Sequence, residues 1–64
     1  MNRFMDGFQA ETGLSDSEVV EQWSGFSAQL SDLERAKTER GGYRRGQQMG
    51  RAFLRMYPET EATQ

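Results

Sequence analysis

Arg44, Gln48, Arg51 and Arg55 follow one another at intervals of four, three and four residues. At about 100° per residue, that spacing stacks them on one face of a helix. A guanidinium is a rigid fork of N–H donors that matches carboxylate or phosphate oxygens, so such a stripe suits an anionic surface. Arg45 and Arg40 lie close by, while Met49, Phe53, Met56 and Tyr57 fall roughly opposite. Other chemistry has little to work with. The chain has no Cys and no His, which excludes disulfides and thiolate or imidazole metal sites. No glycine-rich loop joins a strand to a helix to cradle a phosphate. The carboxylates of SDSEVVE, residues 15–21, stand where helix capping would use them, in wet surroundings that do not raise a pKa as a general acid requires. The expectation is a protein that is not an enzyme and carries no cofactor and no metal.

Charge is distributed unevenly along the chain. Residues 1–34 hold Asp6, Glu11, Asp16, Glu18, Glu21, Asp32 and Glu34 against Arg3 alone. Residues 35–57 hold Arg35, Lys37, Arg40, Arg44, Arg45, Arg51 and Arg55 against Glu39 alone. The net charge of −2 conceals this polarity. With 64 residues the chain is one domain at most, and a chain this short buries only about 60% of its unfolded surface. Tight helix packing or association must supplement so small a core. No stretch approaches the roughly 18 apolar residues of a membrane span. No membrane role and a cytoplasmic location are therefore expected.

The stripe needs elements to position it. In GLSDSEVVEQW, Ser15 suits an N-cap and Glu18 completes a capping box, with Leu14 and Val19 placed as a hydrophobic staple. From there Val19, Trp23, Phe26, Leu30 and Leu33 form a narrow seam. The expected helix runs over about 16–40, with a weak point at SGFS, residues 24–27, and a stop at Gly41–Gly42. A short N-terminal helix over about 2–12 docks Phe4 and Phe8, with Gly13 as its C-terminal cap. A third helix covers 43–57 and ends at Pro58. The expected fold is all-α: an antiparallel helical hairpin, 16–40 against 43–57, plus the N-terminal helix. Residues 1–57 make a single domain and 58–64 a frayed polar tail.

Glycine recurs at positions 42, 46 and 50 inside or beside the third helix. Each interior glycine costs about 1 kcal/mol against alanine, so close approach of another backbone should offset it. The expected neighbour is the helix carrying Trp23 and Phe26, large side chains facing small ones. The run GYRRGQQMGR, residues 42–51, resembles the Gly-Tyr-x-x-Gly-x-x-Gly-Arg run of ribosome modulation factors. Here the second interval between glycines is one residue longer, and those proteins are strongly basic. The resemblance implies a small helical protein that associates with ribosomes; it transfers no residue role.

Three uses of the stripe stand open: a solvated face, contact with an acidic protein surface, and contact with a phosphate backbone. The acidic first half and low pI of about 5.0 weigh against nucleic acid, since such domains are usually basic. The expected function is a small protein-binding module, of regulator, inhibitor or adaptor type, docking on a larger partner with an acidic surface. Its size fits a phage or mobile-element regulator by analogy alone. Arg44, Arg45, Gln48, Arg51 and Arg55 would orient the partner, with Trp23, Phe53, Met56 and Tyr57 as apolar anchors. The seam also suggests a homodimer. Association with nucleic acid or ribosomes through the arginines is the alternative.

Overall fold

The computed structural model describes residues 2–63, with side chains described for residues 2–60. Its elements are α1 (Arg3–Thr12), α2 (Asp16–Ser27), α3 (Asp32–Arg40) and α4 (Tyr43–Met56), followed by a 3-10 segment over Pro58–Thr63. The fold is all-α, as expected. Local chemistry accounts for most of the boundaries. Asn2 caps α1 by accepting from the N–H of Met5 at 2.8 Å, and Gly13 ends it in the left-handed region, φ 76°. The Ser15–Glu18 capping box forms in both directions, at 2.9 and 3.3 Å.

The helix expected over 16–40 is divided. Gln29 and Leu30 close i to i−3 turns on Phe26 and Ser27, and Ser31 starts α3 by accepting from the N–H of Glu34 at 3.2 Å. Arg35 then folds back over the break. Its Nε donates to the Ser27 carbonyl at 3.3 Å and its Nη2 to the Leu30 carbonyl at 3.0 Å. The Ser27 carbonyl is the last of α2, at the negative end of its dipole, and the Leu30 carbonyl lies in the break. Asp32 holds the same guanidinium at 3.0 Å. Beyond α4, Pro58–Thr63 forms the 3-10 segment. Met1 and Gln64 lie outside the described residues.

The main interhelical contact joins α1 to α4. Phe4 lies against Gly46, Phe8 against Gly46 and Gly50, and Glu11 against Gly50. Contacts that advance together along both chains mean that the two helices run in the same direction. The expected close packing of an antiparallel hairpin does not form: from the Gly41–Gly42 bend, α3 and α4 stand apart and line two hollows between them.

The spaced glycines thus face α1, rather than the helix carrying Trp23 and Phe26. A Cβ added to Gly46 would overlap the carbonyl oxygen of Phe4, and one added to Gly7 would overlap that of Tyr43. The pairing is reciprocal, with each helix using a glycine to admit the other's backbone. Such contacts place Cα–H groups against carbonyl oxygens, a weak but recurring interaction. Gly7 is the half of this joint that a search for spaced glycines in one helix overlooks.

Phe4, Phe8, Val19, Phe26, Met49 and Phe53 form the buried core. Phe8 is its hub, with ring centroids 5.4 Å from Trp23, 6.1 Å from Phe26 and 5.4 Å from Phe53. The pairs with Trp23 and Phe53 are edge-on, and such pairs add about 0.5–1.5 kcal/mol each beyond the area they bury. Thr12 is buried but satisfied, its hydroxyl donating to the Phe8 carbonyl at 2.9 Å.

Gly25 is the counter-example among the glycines. It lies exposed inside α2, and a Cβ there would meet nothing within 4 Å. Gly25→Ala is expected to stabilise the protein by roughly 0.5–1 kcal/mol. A thermal midpoint below that of the parent would show that α2 needs flexibility there.

Acid should weaken the start of α2. Two hydrogen bonds from Ser15, the backbone one stronger, hold the Glu18 carboxyl below its ordinary value of 4.5. A depressed carboxylate contributes stability above its unfolded value, and that contribution disappears as pH falls through the folded value. Below pH 4.5, Glu18→Gln should therefore lose stability less steeply than the parent, as measured by thermal midpoint against pH. Parallel curves would remove Glu18 from the account.

Candidate partner-binding surface

Helix α4 sets the basic stripe directly opposite the core. Gly46, Met49, Gly50 and Phe53 are its buried residues, whereas Arg44, Gln48, Arg51 and Arg55 are exposed on the other side. The amphipathic period explains this: once the glycines and Phe53 close on α1 and the core, the arginines at the opposite phase must face solvent. Arg51 is partly engaged. Its Nε lies 3.7 Å from Glu11 Oε2, and Gln47 also reaches Glu11, at 3.5 Å. These contacts fasten the flank of α1 to α4.

The expected apolar anchors separate into three situations. Phe53 is only 1% exposed, so it belongs to the core and cannot touch a partner. The correction follows from its place between Phe8, Phe26 and Tyr57. Trp23 is half-buried, edge-on to Phe4 and Phe8. Tyr57 is half-buried too, its ring 4.8 Å from Phe53 and its hydroxyl 2.6 Å from Gln29 Nε2, which donates to it. Met56 is the one fully on the surface. The seam expected to drive dimerisation is mostly closed within the chain, since Val19 and Phe26 are buried. Leu33 remains 66% exposed because the break at 28–31 carries it away from the core.

A trough lies between α3 and α4. Its bend end is lined by Leu33, Ala36, Lys37, Arg40 and Arg45, and its far end by Leu30, Met49, Ala52 and Arg55. Arg45 lines both ends, so the two hollows adjoin. Leu33, Ala36, Lys37 and Arg40 were not expected as site residues. Their i, i+3, i+4, i+7 spacing does mark one helical face, but bases in a last helical turn, as Lys37 and Arg40 are, also suit the negative end of the dipole and so do not by themselves signal a site. Glu39 falls on a different side of α3.

Most bases of α3 and α4 are unpaired. Among the described residues, Lys37, Arg40, Arg44, Arg45 and Arg55 have no ion-pair or side-chain hydrogen-bond partner. Glu11 is engaged by Arg51 and Gln47, Asp16 by Gln9, Glu18 by Ser15 and Asp32 by Arg35, while among the described residues Asp6, Glu21 and Glu59, off these two helices, and Glu34 and Glu39 on α3 are unpaired. The α3–α4 side is therefore a basic surface with little internal compensation. Among the described residues, no helix is long and apolar enough to cross a membrane. Compared with protein-family models, curated proteins and solved structures, the chain matches none.

Proposed function

We propose that this chain is a non-enzymatic protein-binding module, cytoplasmic, that docks through its α3–α4 side on an acidic surface of a larger protein. The uncompensated bases Lys37, Arg40, Arg44, Arg45 and Arg55 carry this proposal. Complementary charge of this kind steers and orients docking more than it tightens it. Met56 and Leu33 add exposed apolar surface on or beside the same side, and Gln48 adds a donor and an acceptor. A regulator, inhibitor or adaptor acts in this way.

The test is charge reversal on the outer stripe. A triple variant, Arg44→Glu, Arg51→Glu and Arg55→Glu, should stay helical, because the single ion pair it breaks is long, at 3.7 Å, and only partly buried, so that it is worth about 1 kcal/mol or less. In affinity purification from the native cell followed by mass spectrometry, the parent should retain a partner that this variant loses. Equal recovery by both proteins would refute the role given to these arginines. The same stripe could instead follow a phosphate backbone, as the likeness of residues 42–51 to ribosome modulation factors suggests. A gel shift at low salt that weakens steeply with added salt would establish that use in place of protein docking.

A further inference from the structure

We propose that the trough between α3 and α4 holds an acidic amphipathic helix of the partner. This rests on the docking role above and names what the docking surface receives. The occupant's apolar residues would sit on Leu33, Ala36 and Ala52, and its carboxylates against Lys37, Arg45 and Arg55.

Three observations select this occupant. The floor is apolar and open, with Leu33 66% exposed in the fold as it stands. The rim bases lack ion-pair partners among the described residues, and Glu34 is the acid that lines the trough. Finally, the described residues contain no strand, so there is no sheet edge on which an extended peptide could complete its backbone hydrogen bonds. The occupant must satisfy its own backbone, which a helix does, and a groove then reads its side chains at i, i+3, i+4 and i+7. From Arg45 to Arg55 the trough follows α4 for about 15 Å, close to three helical turns of an occupant. A second copy of this chain is a poorer fit. Among the described residues, its unpaired acids, Asp6, Glu21, Glu34, Glu39 and Glu59, are scattered over α1, α2, α3 and the C-terminal segment rather than aligned on one helical face.

The experiment uses the full chain and a fluorescein-labelled synthetic peptide of Leu, Ala and Glu, with leucines at i, i+3, i+4 and i+7 and glutamates flanking them. Fluorescence anisotropy should show this peptide binding at least about tenfold more tightly than a scrambled peptide of identical composition. Leu33→Asp should weaken binding by a similar factor while the circular dichroism spectrum stays that of the parent. Equal affinity for periodic and scrambled peptides, or no effect of Leu33→Asp, would overturn the proposal. If the triple arginine variant loses the acidic peptides while Leu33→Asp does not, the docking face stands and the trough is wrong. If no acidic peptide binds, both fail. A parent dimer in light scattering that Leu33→Asp converts to monomer would place a second copy in the trough and overturn the proposal.

Discussion

Gly46→Ala should destabilise this protein by about 2–4 kcal/mol, although alanine is the better helix former by about 1 kcal/mol. Intrinsic propensity and packing have opposite signs at this position, and geometry decides between them. The added Cβ would overlap the Phe4 carbonyl oxygen and come within 2.9 Å of both the Phe4 carbonyl carbon and the Phe8 nitrogen. All three are backbone atoms of a neighbouring helix, so no side chain can rotate away to make room. Helix α1 must therefore withdraw, taking Phe4 and Phe8 from the core. A 64-residue chain can absorb about one such loss, because total stability is roughly 0.05–0.15 kcal/mol per residue. Urea denaturation followed by the fluorescence of Trp23, the single tryptophan, would measure it. A midpoint at or above the parent's would mean that α1 does not pack on α4 as described. Gly25→Ala serves as the internal control, since the same substitution in open space should shift the midpoint upward.

Phe8→Ala is expected to abolish cooperative folding at 25 °C. Removing a buried phenylalanine costs about 3–5 kcal/mol, which is comparable with the whole stability. The ring is 1% exposed and bridges α1 to Trp23 and Phe26 of α2 and to Phe53 of α4. Without it no single side chain joins α1, α2 and α4, and helices of 9–14 residues are marginal alone in water. Far-ultraviolet circular dichroism should therefore lose most of its helical signal, rather than report a loosened but helical chain. Phe8→Leu, which keeps most of the volume, should fold with a lowered midpoint. A Phe8→Ala variant that still melts cooperatively near the parent's midpoint would remove Phe8 from the centre of the fold.

Much of this protein was legible in its residues, because short-range chemistry placed it. The capping box at Ser15–Glu18, the left-handed Gly13 and the bend at Gly41–Gly42 are local devices, and each ends or begins a helix where expected. The exposed arginine stripe followed from periodicity alone, since a helix with one apolar face must turn its opposite phase to water. The division of 16–40 was also legible in principle. Ser31-Asp32-Leu33-Glu34 repeats the Ser-Asp-x-Glu start of α2, yet the continuing apolar seam masked it.

What only the tertiary structure decided is which faces meet. Periodicity defines a face but carries no address for its partner, so Gly46 and Gly50 could equally have received the helix bearing Trp23. Packing selected α1, where Gly7 supplies the reciprocal gap and lets two backbones touch. The same choice drew Phe53 into the core and left Leu33 outside it. It also opened the trough between α3 and α4, because a break in the chain leaves α3 standing apart from α4 instead of continuing α2.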